Sequence, residues 1–527
     1  MFPCLHEHCR EPPRSCADNP PTRERRLCSR HSTRSCTLTP SSTIDSPASA
    51  EAGAPPQPKR VLGLRDLVLF YIVATMSVRW IAIAAAAGPS TVAIWVIGLA
   101  TIFLPVALCV MELSSRYPQE GGMYVWSKHA FGDFSGYMTG WIYWTSNLPY
   151  FPALLYFAAS NALYVGGNRW KGLQGNATFF ITFSLLGLGL ALILNIVGLN
   201  IGKWLSNLGA IGAWIPIALL CVVGAIAWRK FGSATSFTAT SLKPSLHVAN
   251  FAIWATLLSA FAGAESASCM GAEIKNARRT IPRALLVAGI LITAGYLLGT
   301  IAILIVLPTD QLNGLEGIMQ AISSSAERIG WHNLGPVVAL LIAVANLGTV
   351  GAYLAAMSRI PFVVGIDRYL PSAFGRVHPK WGTPHVSLIV QSLCCVVFVL
   401  MGQLGSTVHG AYEMLVSMAI VTTFMPYLFM FAALIRLQRE PVEVGVVRIP
   451  GGKNAAIGIG LLGFVATIAV IIGSVIPDAS EPNKGLAVAK IFALNGVLLG
   501  GGCLMYWLGK RRSKRAQQDG EHVMNVL

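Results

Sequence analysis

Ser259-Ala-Phe261-Ala262-Gly263-Ala264-Glu265-Ser-Ala-Ser268 lies inside an apolar run from about 251 to 271. An ionisable side chain in the middle of a stretch long enough to cross a bilayer is costly, so it reads as functional. The glycine, the small residues and the hydroxyls around Glu265 weaken helix packing and free backbone groups for a ligand. A second such residue, Arg79, stands in the middle of the first apolar run, in Met76-Ser77-Val78-Arg79-Trp80. Each has a plain structural reading when taken alone. Glu265 can be hydrogen-bonded across closely packed helices, and Arg79 can snorkel or pair with a carboxylate. Their matching places in runs one and six favour two inverted five-helix halves with a site where the two breaks meet, the pattern of a secondary transporter.

The composition sets the frame for that reading. Of 527 residues, 54% are apolar and only 12% charged, against about 25% charged in soluble domains. Mean hydropathy is +0.59, which excludes a soluble multidomain enzyme and a disordered chain. Twelve apolar runs are legible, at roughly 64–87, 91–113, 133–162, 177–198, 204–228, 251–271, 284–307, 336–358, 386–404, 411–434, 455–476 and 487–508. Their length, without alternation, predicts membrane-spanning helices rather than barrel strands. Lys and Arg in alternate loops number 22 on one side and eight on the other. The richer side is cytoplasmic and holds both termini. The net charge of +16 therefore belongs to loops and tails, and nucleic acid is not an expected partner.

Residues 1–60 are rich in Pro, Ser and Arg, hold five of the eleven cysteines, and read as a disordered cytoplasmic tail. Within it, Cys4-Leu-His6-Glu-His8-Cys9 fits no standard zinc spacing. The transporter domain spans 61–509, and 510–527 is a basic tail whose Lys510–Arg515 run positive-inside bias explains. The remaining cysteines read as packing residues. The spans hold no His pair, no HExxH and no paired aspartates, so no catalytic residue, metal or cofactor is expected. A membrane-embedded sensor is the competing class, but no cytoplasmic loop is long enough for an output domain.

The run from Ser259 to Ser268, followed by Glu273-Ile-Lys-Asn276-Ala-Arg-Arg-Thr-Ile-Pro282-Arg-Ala284, closely resembles the sixth span and following loop of amino-acid permeases of the amino acid–polyamine–organocation (APC) superfamily. Glu112-Leu-Ser-Ser-Arg116-Tyr-Pro118-Gln-Glu-Gly121-Gly122-Met-Tyr124 resembles the loop after span 2. Ser358-Arg359, Asp367-Arg-Tyr-Leu-Pro371, Val377-His378-Pro379 and Gly382-Thr383-Pro384 resemble the loop after span 8. Together these cover about 60–510. Arg79-Trp80, the Trp141–Pro152 stretch and the Glu265 break look most like bacterial glutamate/GABA-type antiporters.

The resemblance implies a LeuT-like 5+5 inverted repeat, about 61–230 and 250–435, with helices 1 and 6 broken and helices 11–12 (about 455–508) peripheral. It implies an amino-acid permease or antiporter in the cell membrane, exchanging against a counter-substrate or H+; a proton-coupled amino-acid or polyamine symporter is the alternative. Substrate-binding residues are then Ser77, Val78, Arg79, Asn147, Phe261, Ala262, Gly263 and Ala264, with Glu265 in coupling or gating. The aromatic residues Trp141, Tyr143, Trp144, Tyr150 and Phe151 line the route or pack, and Ser417, Thr422 and Thr423 of span 10 stay undivided. Two positions depart from the family. The usual Gly-x-Gly of span 1 is Ser77 and Arg79, and the span-5 lysine of many proton-coupled members is replaced at Ala213-Trp214. The basic asymmetry sets a test of orientation. Single cysteines near Gly172 and Leu312 are expected to label from outside intact cells and ones near Ala277 and Ser372 are not; outside labelling at Ser372 sinks the twelve-span arrangement.

Overall fold

The computed structural model describes residues 60–526 apart from 174, 245–247, 310–311, 313–317, 320, 324–330, 332–333, 367–368, 402–407, 444 and 477–483. The tail expected over residues 1–60, except residue 60 itself, and the Asp367-Arg368 part of the loop motif lie outside the described residues. The rest is helices joined by loops, with one isolated parallel bridge between Leu62 and Ile274.

Helix α1 (Leu64–Thr75) stops where Met76 and Ser77 take extended backbone angles, and α2 (Val78–Ala86) resumes. α3 (Thr91–Arg116) contains a π-helical stretch at Leu99–Phe103. The short α4 (Met123–Phe131) precedes α5 (Asp133–Leu163), with Pro149 and Pro152 inside it. α6 (Ala177–Val197) and α7 (Leu199–Phe231) follow. α8 (Val248–Ser259) stops short: residues 260–265 are turns and Ser266–Glu273 is a 3-10 helix. Next come α9 (Ala277–Val306), α10 (Leu334–Met357) and α11 (Arg359–Ile366). The last four are α12 (His385–Met401), α13 (Val408–Leu437), α14 (Gly452–Val475) and α15 (Lys484–Val526).

Among the described residues, nine helical stretches are long and apolar enough to cross a membrane. The three other expected spans also coincide with helices but miss that standard for physical reasons. α5 is 31 residues long yet carries Asp133, Asn147 and Asn161, α8 is only 12 residues, and α12 is 17. The outer faces are apolar: Leu186, Ile193, Leu286, Ile290 and Val497 are 60–71% exposed, as lipid contact requires. The apolar core of the α1–α2 stretch is 78% buried, whereas those of α14 and α15 are 28% and 18% buried. The last two helices therefore sit at the edge.

Small residues let the interior helices approach closely. A Cβ on Gly209 of α7 would lie 2.7 Å from the Gly348 Cα of α10, and one on Gly212 would lie 2.7 Å from the Leu341 carbonyl oxygen. Backbone thus meets backbone, and association rests on van der Waals contact. Where α3 ends, Glu112 accepts from Arg116 Nη2 at 2.5 Å, Gln438 Nε2 at 2.7 Å and the Ile449 amide at 2.9 Å. That knot binds the end of α3 to the segment that follows α13. The α7–α10 contact makes a clear prediction. Gly209→Ala forces the two backbones apart, at about 1–3 kcal/mol for overpacking, and should lower the melting midpoint in detergent. Gly458→Ala on α14, where an added Cβ meets nothing within 4 Å, should leave it unchanged.

Candidate functional site

The interruptions at 76–77 and 260–265 touch. Gly263 has φ +117°, and a Cβ there would fall 2.7 Å from the Ala74 carbonyl oxygen and 2.6 Å from Tyr353 Oη. Only glycine meets both demands. The hydroxyl of Tyr296, on α9, spans the junction. It lies 2.8 Å from the Thr75 carbonyl oxygen and 3.0 Å from that of Ala260, and accepts from the Ser77 amide at 3.3 Å. Thr349 of α10 donates to the Val73 carbonyl at 3.1 Å. Backbone groups released by the two interruptions are thus answered by side chains from α9 and α10.

Beside this junction is a cavity of about 50 Å³, room for a few water molecules. Ala74, Thr75, Arg79 and Trp80 line it from the first interruption, and Ser259, Ala260 and Ala262 from the second. α5 contributes Tyr143, Asn147 and Tyr150; α10 contributes Tyr353; α13 contributes Val416, Ala419, Ile420, Thr423 and Phe424. Arg79, 1% exposed, carries the only formal charge among the described residues of this lining. Its guanidinium carbon lies 4.0 Å from the Trp80 ring centroid, within cation–π range.

Glu265 is buried but does not line the cavity. Tyr143 donates to its Oε1 at 2.5 Å, Tyr427 donates to its Oε2, and the Gly263 amide reaches Oε2 at 3.0 Å. Both carboxylate oxygens are therefore held. Tyr143 belongs to the cavity wall as well, which makes it a physical link between the cavity and Glu265.

Of the residues predicted to bind substrate, Arg79, Asn147 and Ala262 line the cavity. Ser77 and Val78 begin α2, and the Ser77 amide is engaged by Tyr296. The Phe261 ring packs on Trp95, Phe103 and Tyr296, at centroid distances of 5.8, 5.9 and 5.6 Å. Gly263 and Ala264 form the turn that carries Glu265. In span 10 the geometry separates the two threonines: Thr423 lines the cavity, while Thr422 donates to the Met418 carbonyl of its own helix. Trp141 donates to the Leu498 carbonyl at 2.9 Å and so fastens α15. Sequence reasoning missed Tyr296, Tyr353 and Tyr427. The available signal was a phenol in mid-span, whose hydroxyl must find a partner. Among the described residues, no group of three or more His, Cys, Asp or Glu side chains is placed to hold a metal.

The profile of the amino acid permease family matches residues 62–498. The chain belongs to that family. It is 30% identical over 449 residues to an uncharacterized transporter of Legionella pneumophila, covering 84% of this chain and 95% of the relative. The serine/threonine exchanger SteT of Bacillus subtilis is 26% identical over 325 residues, which is 60% of this chain and 70% of SteT. The probable agmatine/putrescine antiporter AguD of Lactococcus lactis is 22% identical over 453 residues, 84% of this chain and 95% of AguD. Among solved structures, MhsT in complex with L-phenylalanine matches with a TM-score of 0.55 at 14% identity, covering 79% of this chain and 98% of MhsT. That likeness shows the fold alone, a LeuT-type helical core. The permease is thus a multi-pass membrane protein and a transporter rather than an enzyme. Its junction can be probed directly. Tyr296→Phe strips the hydroxyl from Ser77, Thr75 and Ala260, and each buried backbone group left unanswered costs about 1–3 kcal/mol. The variant should melt earlier than wild type; equal stability would show that the hydroxyl is not the clamp.

Proposed function

We propose that this permease exchanges amino acids across the cell membrane by alternating access, with substrate bound near the midplane where helices 1 and 6 are interrupted. The arrangement is twelve spans, with inverted halves at about 61–230 and 250–435, two peripheral helices, and both termini in the cytoplasm. The observation that carries this reading is a cavity between two helix interruptions whose lining, among the described residues, holds one full positive charge and no carboxylate. An α-amino acid needs a cationic partner for its carboxylate and carbonyls for its ammonium. The Arg79 fork suits the first, at the positive N-terminal end of α2. The C-terminal ends of α1 and α8, whose Thr75 and Ala260 line the cavity, carry the carbonyl partial charge that suits the second. Trp80, Ile420 and Phe424 give the substrate side chain an apolar wall.

Ser77, Val78, Phe261, Gly263 and Ala264 serve in this reading as the backbone frame around the ligand, and Asn147 as a polar contact from span 3. A polyamine is the less favoured cargo, because two ammonium groups would meet Arg79 and find no acid in the wall. Glu265 couples occupancy to gating through Tyr143, the side chain it shares with the cavity.

Counterflow of labelled amino acids in liposomes tests the function: saturable exchange is expected, and its absence across a full substrate panel favours the sensor. Arg79→Gln should lower affinity about ten- to a hundredfold, the worth of a charge-assisted contact of roughly 1.5–3 kcal/mol. Arg79→Lys should also weaken binding, since a point charge lacks the fork. Glu265→Gln should retain binding and lose most of the pH dependence of exchange; a wild-type pH profile removes Glu265 from coupling.

A further inference from the structure

A second buried ionisable cluster lies outside the cavity, on the side that carries most of the basic loops. Arg359, at the start of α11 and 1% exposed, holds Glu273 Oε1 with Nε at 2.8 Å and Nη2 at 2.7 Å. Its Nη1 donates to the Ala355 carbonyl at 2.5 Å and to Ser358 Oγ at 2.9 Å. The loop between α3 and α4 is seated on the same place. The Gly121 amide donates to the Cys269 carbonyl at 3.2 Å. A Cβ on Gly271 would fall 2.6 Å from the Pro118 carbonyl oxygen, and one on Gly122 would fall 2.4 Å from Ser268 Oγ.

This loop carries Glu120 into the cluster. Glu120 is 9% exposed, and its Oε1 is buried with no hydrogen-bond partner among the described residues. Among the described residues, the charged groups that face it are Glu273 from the 3-10 helix and Arg359 from α11. The Cys269 thiol is the other titratable neighbour from the 3-10 helix. On the loop's own side, Arg116 is held by Glu112 and the Leu437 carbonyl. One guanidinium therefore stands against two carboxyl groups, and its fork is already committed to Glu273. A second buried carboxylate has no charge left to neutralise it. Burial and the like charge of Glu273 push the Glu120 carboxyl up to about 8, against the opposing pull of Arg359.

We propose that Glu120 is a proton-binding site that latches the cytoplasmic side: it is protonated while loop 117–122 is seated on the Ser266–Glu273 helix, and gives its proton to cytosolic water when the loop lifts. The naming of the side rests on the proposed transporter topology; the coupling of seating to a proton does not. The sign follows from linkage. A lifted Glu120 has an ordinary carboxylic acid pKa of about 4.3, so the seated state binds the proton more tightly. Seating is favoured as pH falls and is lost as pH rises towards about 8. Between those limits the seated-to-lifted ratio changes by up to about tenfold per pH unit.

Cys269, 0% exposed and hydrogen-bonded through its carbonyl to the loop, reports seating. The test uses the full chain with every other cysteine replaced, held in lipid nanodiscs. The rate of maleimide modification of Cys269 is taken relative to the same chain unfolded at each pH, which cancels the intrinsic ionisation of the thiol. With Glu120 present, the relative rate should rise steeply from pH 6 to pH 8, approaching tenfold per unit. Glu120→Gln should hold it low and flat. Glu273→Gln, which frees Arg359 to neutralise an ionised Glu120, should flatten it as well and decides the matter if the first variant does not fold. A flat profile with Glu120 present, or Glu120→Gln and Glu273→Gln profiles that rise in parallel with it, would overturn the proposal. Amino-acid counterflow measured on the same preparations separates the outcomes: a chain that transports nothing yet shows this labelling pattern loses the function reading and keeps the latch.

Discussion

A chain that stops being helical within a bilayer must find protein partners for every backbone group it releases, because lipid offers none. That constraint organises the centre of this permease. Tyr296 answers the Ser77 amide and shares its hydrogen between Thr75 and Ala260, while Thr349 answers Val73. Gly263 lets the second interruption lie against the Ala74 carbonyl. α9 and α10 are thus required by the breaks as much as by packing, and the cavity exists because two segments are held open without being solvated. The Gly209–Gly348 contact serves the same end, since α7 pressed on α10 keeps α10 close enough for Thr349 to reach Val73.

Buried charge is handled in three different ways along the molecule. At the cavity, Arg79 is placed in a wall of aromatic, aliphatic and hydroxyl groups. One layer away, Glu265 is held by two phenols and an amide. Near the end of α3, carboxylates meet guanidinium groups directly, at Glu112–Arg116 and Glu273–Arg359. These choices differ in how easily they change. A direct buried pair is strongly destabilised by losing one member, which suits a fastening. Phenols bonded to a carboxylate can turn away and keep a partner elsewhere, which suits a moving part.

The apolar runs made the helices legible, and the two ionisable residues pointed to the two interruptions that meet beside the cavity. Arg79 and Ala262, singled out from the two interruptions, and Asn147, implied by the family resemblance, line the cavity. What stayed hidden is which way side chains face. In a soluble helix the polar stripe reveals the buried face, but a helix that is apolar all round carries no such mark. Phe261 accordingly looked like a ligand contact and packs on Trp95 and Tyr296, and Thr422 and Thr423 were indistinguishable until their faces were known. The Glu120 cluster was illegible for another reason. Glu120, Glu273 and Arg359 are spread over 239 residues of sequence, and the seating of a glycine-rich loop brings the first to the other two.

The resemblance to the family raises a last question, where coupling resides in a chain that lacks the span-5 lysine of many proton-coupled relatives. At that place the chain has Ala213 and Trp214. A Cβ on Gly295 of α9 would meet the Trp214 ring at 3.6 Å and Met76 Sδ at 2.8 Å. An indole and a thioether thus crowd α9 beside the first interruption. They bring bulk and apolarity where an ammonium would bring charge, and neither group can exchange a proton near neutral pH. What the structure places at this point is packing, without a titratable group. Protons, if they enter the cycle, must be carried by carboxyl groups elsewhere, and Glu265 and Glu120 are both buried carboxyls on or against the segment that follows the second interruption. Movement of that one segment would change the surroundings of both. The titratable groups within reach of such a movement therefore gather at the Ser266–Glu273 helix, and none stands at Ala213-Trp214.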